Sequence, residues 1–185
     1  KMLNKGKLWE NFGMSPHFKP STPKNPRHQN RVRIIGGQWR SRLIEFPEVP
    51  GLRPTGDRVR ETLFNWLGQT LHGKVCLDLF AGSGALGFEA ASRGAEQVWM
   101  IEADPVAVKS LLTSKAVLQA ARCEVRRMEA ANFLRDCGRR FDLIFIDPPF
   151  SSGALWPILE NVSAHLEENG CVYVEWGEPI IPVLQ

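Results

Sequence analysis

Residues 75–87 read VCLDLFAGSGALG. The first six form an apolar run interrupted only by Asp78, the pattern of a strand buried on both faces. Gly82, Gly84 and Gly87 follow in G-x-G-x-x-G spacing, and the sequence then turns helix-forming as far as Gly94. Glycines at that spacing let the backbone turn tightly and approach a ligand, while the first turn of the helix offers unpaired N–H groups. Asp78, inside the strand, is placed to hold the glycine loop or to receive a ligand's ammonium group.

The same alternation continues toward the C-terminus. VWMIE (98–102) reads as a strand, 105–120 as a helix with Pro105 in its first turn, and CEVRRM (123–128) as a strand. A short helix at 130–137, the strand FDLIFID (141–147), a helix near 155–166 that ends before Asn169-Gly170, and the strand CVYVEW (171–176) complete the series. Repeated βα units with apolar strands predict an α/β fold: a mostly parallel, doubly wound, Rossmann-like sheet with helices on both faces. Glu102 closes the second strand, where a carboxylate can accept hydrogen bonds from both hydroxyls of an adenosine ribose. Asp104 is a candidate N-cap for the helix that starts at Pro105.

The glycine loop and Glu102 suit a nicotinamide dinucleotide or S-adenosylmethionine equally. Asp147-Pro148-Pro149-Phe150 separates the two. It follows the fourth strand, at the edge where an open α/β sheet presents its ligand crevice. Its chemistry matches methyl transfer to an exocyclic amine of a base. Such a nitrogen is a poor nucleophile because its lone pair is delocalised into the ring. The Asp147 carboxylate and the Pro148 carbonyl can each accept one N–H bond, which favours the pyramidal nitrogen formed during attack. Pro149 stiffens the loop and has no N–H to compete, and Phe150 supplies a ring on which a base can stack.

The N-terminal third has a different character. Residues 1–60 carry 13 Lys/Arg against 4 Asp/Glu, a balance of +9, whereas the remainder balances at −6. A basic arm on a mildly acidic body suits a polyanionic partner. Residues 1–30, with Pro16, Pro20, Pro23 and Pro26, read as a flexible basic lead-in, and Met14 reads as a natural start. RVRIIGGQWRSRLIEF (31–46) reads as two strands joined by a tight turn at Gly36-Gly37. There Arg31, Arg33, Arg40 and Arg42 would present a basic face for phosphates, with Trp39 available for base stacking. After a Pro-rich loop, Asp57 offers an N-cap to a helix that carries Val59, Leu63, Trp66 and Leu67 and runs to about Leu71.

At 185 residues, 43% hydrophobic and 23% charged, the chain has the size and composition of one globular domain with a small appendage. It lacks an apolar run of about 18 residues, which argues against a membrane-spanning helix. The four cysteines, Cys76, Cys123, Cys137 and Cys171, form no CxxC pair or Cys/His cluster, so neither a metal site nor a disulfide framework is expected. Buried free thiols in a reducing cytoplasm are the expectation, with no membrane partner.

The Asp-Pro-Pro-Phe motif after a FAGSGALG loop resembles the amino-methyltransferases of the class I S-adenosylmethionine-dependent fold. The stretch RIIGGQWRSRLIEFP…GLRPTGDRVRETLFNWL (33–67) is more specific. With it the chain resembles, from about Arg31 to Val174, the RsmD-like bacterial small-subunit (16S) rRNA guanine-N2 methyltransferase family. The resemblance implies that Arg53, Pro54 and Thr55 close over the methionine end of S-adenosylmethionine. It implies that Phe80, Ala81, Gly82, Ser83, Gly84 and Gly87 line the cofactor loop, that Glu102 with Ala103 holds the ribose, and that Asp147 to Phe150 hold the guanine. Glu129, with Ala130 after it, stands where such families often carry Asp or Asn against the adenine amine, and a surface role for it is the alternative. The partner implied is ribosomal RNA, free or within a small-subunit assembly particle, met by a monomer. Three segments are expected: the lead-in at 1–30, a β-hairpin extension with its loop at 31–53, and a methyltransferase domain at 54–185 that ends short of the family's last β-hairpin. An adenine-N6 or cytosine-N4 DNA methyltransferase and a non-catalytic RNA-binding module of the same fold are the competing readings.

Overall fold

The computed structural model of the chain describes residues 2–4, 31–48, 55–149 and 155–175. In chain order the elements are β1 (Met2–Asn4), β2 (Arg31–Arg33), β3 (Leu43–Glu45), α1 (Asp57–Leu67), β4 (Val75–Asp78), α2 (Ala85–Ser92), β5 (Gln97–Glu102), α3 (Pro105–Leu118), β6 (Cys123–Arg127), α4 (Ala130–Asp136), β7 (Phe141–Ile146), α5 (Leu155–Val162) and β8 (Leu166–Val174). One sheet has the order β1-β8-β7-β4-β5-β6. Its last five strands are mutually parallel. The expected doubly wound α/β sheet is therefore present. The chain winds from β4 through β5 to β6, then crosses back to place β7 on the other side of β4. The carboxyl ends of β4 and β7 thus flank the switch point, where such sheets open a crevice.

The central strands β4, β5 and β7 are mostly apolar because each feeds two cores. Side chains alternate across a strand. Cys76, Val98, Met100 and Phe145 face a core built with α1, α2, α3 and the β2–β3 hairpin. Leu77, Trp99, Ile101, Ile144 and Ile146 face a second core built with α4 and α5. Each such side chain contributes about 1.5–3 kcal/mol on burial. That grip on both faces holds the strand ends, and hence the crevice, in fixed register.

Several local expectations are corrected. Met2–Asn4, inside the expected flexible lead-in, pair antiparallel with β8 as a sixth strand, Leu3 opposite Val172. The hairpin pairs Val32 with Ile44, but residues 34–42 join its strands and no tight turn forms. Gly36 is extended; only Gly37 has positive φ, at +74°. A Cβ on Gly37 would overlap the Ser92 carbonyl, so this glycine serves close docking of the connection on α2. That docking turns Trp39 inward, its backbone N–H donating to Ser92 Oγ at 2.9 Å. Arg40 and Arg42 lie in the connection and not on a strand. Gly56, not Asp57, is the N-cap of α1, and the helix stops at Leu67 because Gly68 takes φ +95°. Residues 166–170, expected as the end of a helix and a turn, begin β8: Phe141 pairs with Leu166 and Leu143 with Cys171, with an irregularity between them.

Candidate active site

The glycine loop is held by carboxylates. Beyond Asp78 the backbone rises to φ +49° at Gly82 and +81° at Gly84, the residue that caps α2. A Cβ on Gly84 would run into Phe88 and Leu111, so only glycine fits. Asp78 Oδ2 accepts the Gly87 N–H at 3.0 Å. Glu102 Oε2 accepts the Gly82 N–H at 2.9 Å, and its Oε1 accepts the Asp104 N–H at 2.8 Å. One carboxylate at the end of β5 thereby joins the loop after β4 to the loop after β5. Asp104 caps α3 as expected, accepting the N–H groups of Val106 and Ala107 at 2.8 Å each.

The other expected cofactor residues differ in exposure. Phe80, Gly82 and Ala103 are half-buried, and Ala81, Ser83, Gly84, Gly87 and Ala130 are buried. Glu129 is exposed at the N-cap of α4, with no side-chain cap bond. Arg53, Pro54 and Phe150 lie outside the described residues.

At the switch point Asp147 follows β7 directly. Its Oδ2 accepts the Thr55 hydroxyl at 2.9 Å. Burial first, and Glu175 second, push its pKa up to about 7, against the Thr55 bond. Glu175 is carried to its side by β8, whose ladder extends from the Glu175 N–H to the Ile146 carbonyl at 2.9 Å. The Tyr173 hydroxyl donates to Glu175 Oε2 at 3.1 Å. Pro148 is buried and Pro149 exposed. Asp78 is 1% exposed. Burial first, then Asp147, raise its pKa to about 7, with Glu102 adding to the rise and the Gly87 and Phe80 amides opposing it. Its Oδ1 is buried and has no hydrogen-bond partner among the described residues. Adjacent strands thus end in acidic groups that repel one another. A ligand bearing positive charge relieves that repulsion and satisfies the orphan oxygen.

The hairpin residues divide. Arg31 pairs with Glu45 at 2.7 Å, Arg33 reaches Asp57 at 3.4 Å, and Arg42 donates to the Val117 carbonyl at 2.8 Å. All three are exposed, as is Arg40. Trp39 does not share that surface: it is 8% exposed and belongs to the core, so its ring is not offered for base stacking.

Sequence reasoning missed a buried ion network behind the site. Glu89 of α2 and Arg60 of α1 are both fully buried. Glu89 accepts the N–H groups of Ile35 and Gly36 at 2.8 Å, Arg93 Nε at 2.8 Å and Arg60 at 3.2 Å. Burial lowers the Arg60 pKa, and Glu89 and Asp57 oppose that shift. A lone Glu in the otherwise apolar helix ALGFEAAS is the available signal.

Five parallel strands in this order, a glycine loop after the first and Asp-Pro-Pro after the fourth define the Rossmann-like class I methyltransferase fold. A precorrin-6y C5,15-methyltransferase from Geobacter metallireducens shares the fold at 23% identity, with a TM-score of 0.61 over 70% of this chain and 67% of that one. The family described as Conserved hypothetical protein 95 matches residues 32–182, and this chain belongs to it, the RsmD family of methyltransferases. The Escherichia coli K12 protein named Ribosomal RNA small subunit methyltransferase D is 44% identical over 171 residues, covering 86% of this chain and 84% of that protein. Its Haemophilus influenzae namesake is 42% identical over 163 residues, 82% of each. Among solved structures, Escherichia coli yhhF superposes with a TM-score of 0.74 at 43% identity, covering 82% of this chain and 86% of that one.

Proposed function

We propose that this chain transfers a methyl group from S-adenosylmethionine to the exocyclic N2 amine of a guanine in small-subunit ribosomal RNA. The observation that carries the reading is Asp147. It is a half-buried carboxylate at the switch point, followed by two prolines and set against the end of the strand that opens the glycine loop. The names of the relatives support ribosomal RNA as the substrate.

The residues present fit the cofactor. Asp78, with its orphan oxygen, suits the ammonium of a methionine moiety. Glu102, already fixed by two amides, suits a ribose diol. When bound, S-adenosylmethionine supplies an electrophilic methyl carbon on a cationic sulfur. Asp147 and the Pro148 carbonyl accept the two N–H bonds of the guanine amine. They draw its lone pair out of conjugation and steady the positive charge that grows on nitrogen during in-line attack. The nitrogen would take the methyl carbon as the cofactor's methyl–sulfur bond breaks, and the amine would give up one proton. A carboxylate whose pKa is about 7 accepts that proton better than an ordinary one.

Single-turnover methylation of small ribosomal subunits from cells lacking this protein tests the assignment. Nucleoside analysis should give N2-methylguanosine. Asp147→Ala should cut the rate by about 10²–10³ with cofactor affinity unchanged by calorimetry. An unchanged rate removes Asp147 from the mechanism. Methylated adenine, or methylation of duplex DNA in place of the RNA, overturns the substrate.

A further inference from the structure

We propose that Thr55 and Arg60 are positioning residues for this reaction: the Thr55 hydroxyl aims the Asp147 carboxylate, and Arg60 fixes Thr55 against the buried Glu89 that also clamps the hairpin. The inference rests on the reading of Asp147 as the group that receives the amine. Thr55, which the resemblance sets against the cofactor, spends its hydroxyl on Asp147.

The Thr55 hydroxyl anchors Asp147 at one carboxylate oxygen. A carboxylate held there keeps its plane and presents the other oxygen in a fixed direction; unanchored, it rotates. Thr55 itself lies ahead of α1, where the helix's own ladder does not yet hold it. Arg60 supplies what the ladder does not. Its Nε donates to the Thr55 carbonyl at 3.0 Å. The rest of its planar fork reaches Glu89 at 3.2 Å, the Arg33 carbonyl at 2.8 Å and Asp57 at 2.7 Å. Only a guanidinium meets four acceptors in one rigid plane. Glu89 in turn holds Ile35 and Gly36 of the hairpin connection. Three links, Glu89 to Arg60 to Thr55 to Asp147, therefore run from the N-terminal extension to the proposed acceptor site.

The chain of links also sets charge. Asp147 faces Glu175 and Tyr173 from β8 and Asp78 from β4. None of these favours its ionised form. The Thr55 hydroxyl does, so removing it raises a pKa that already stands at about 7. The acid limb of the rate profile, which reports ionisation of Asp147, then moves to higher pH.

The test uses the full chain, S-adenosylmethionine and unmethylated small ribosomal subunits. Thr55→Val removes the hydroxyl and nearly preserves shape. It is expected to lower the single-turnover rate by about 10–10²-fold, to move the acid limb upward and to leave cofactor affinity at the wild-type value. Thr55→Ser restores both rate and limb. Arg60→Lys, which keeps charge but not the fork, lowers the rate in the same sense. Because Arg60 is buried and its variant can fail to fold, the Thr55 pair carries the decision. Wild-type rate and pH profile in Thr55→Val overturn the proposal, as does a rate loss that follows weakened cofactor affinity. Asp147→Asn separates the two layers. If it is inactive while Thr55→Val is fully active, only this inference falls; if it is fully active, the reading beneath falls too.

Discussion

Two buried carboxylates, Glu89 and Asp78, sit on neighbouring elements and are treated oppositely. Glu89 is matched by two backbone amides and two guanidiniums. Asp78 has the Gly87 amide on one oxygen, and the other oxygen is without a hydrogen bond among the described residues. Folding leaves few buried polar atoms unmatched, because each costs about 1–3 kcal/mol. The contrast therefore separates scaffold from site. Where the chain completes a carboxylate with its own donors, it is fastening elements together. Where it leaves one incomplete among other acids, the proposed cationic cofactor would complete it.

Breaking the completed side should have the largest effect. Glu89→Ala strands Arg60 and Arg93 in a buried setting, so denaturant unfolding should show a loss of about 3–5 kcal/mol. A loss below about 1 kcal/mol would mean that the network relaxes freely and fastens nothing. On the incomplete side, Asp78→Asn should weaken binding of S-adenosylmethionine by at least about tenfold, the value of one charged hydrogen bond. The pH dependence sharpens this. Asp78 and Asp147 have folded pKa values near 7, above the unfolded value of 3.8. Their contribution to stability is thus full below the unfolded value and is lost as pH rises through about 7. The ligand-free protein should melt at higher temperature at pH 6 than at pH 8, while cofactor affinity runs the other way. Asp78→Asn should flatten both trends; equal slopes in variant and wild type would contradict the role given to Asp78. The smallest effect is expected on the hairpin surface. Neutralising Arg31, Arg33, Arg40 and Arg42 together should weaken RNA binding and reduce the slope of log affinity against log salt by roughly 0.7 for each phosphate no longer neutralised. Their own ion pairs are exposed and contribute little to stability, so cofactor binding should stay intact. An unchanged salt slope would move the RNA-binding surface elsewhere.

The glycine loop, Asp104 as a cap and Asp147 at a strand end are legible in the sequence because each is a local pattern with one physical reading. What escapes depends on docking. Trp39 alternates with arginines in the sequence, yet a 3-10 turn over Gly37–Trp39 and contact with Ser92 roll it inward. Asp57 resembles a cap but serves Arg33 and Arg60 instead. Residues 166–170 are polar enough for a helix end, and pairing beside Phe141 makes them strand. The Thr55–Asp147 bond carries no short-range signal at all.

That separation has a kinetic side. Glu102 reaches Gly82 across 20 residues, within the consecutive β4-α2-β5 unit. Thr55 reaches Asp147 across 92. Closing the longer loop costs about 1.4 kcal/mol more in chain entropy, and it must wait until β7 has been inserted beside β4. The two halves of the crevice should therefore mature at different times: the glycine loop with the early βαβ unit, and the Thr55–Asp147 bond only as the sheet closes. During synthesis the proposed cofactor loop should therefore take shape before the Thr55–Asp147 bond that completes the other half of the crevice.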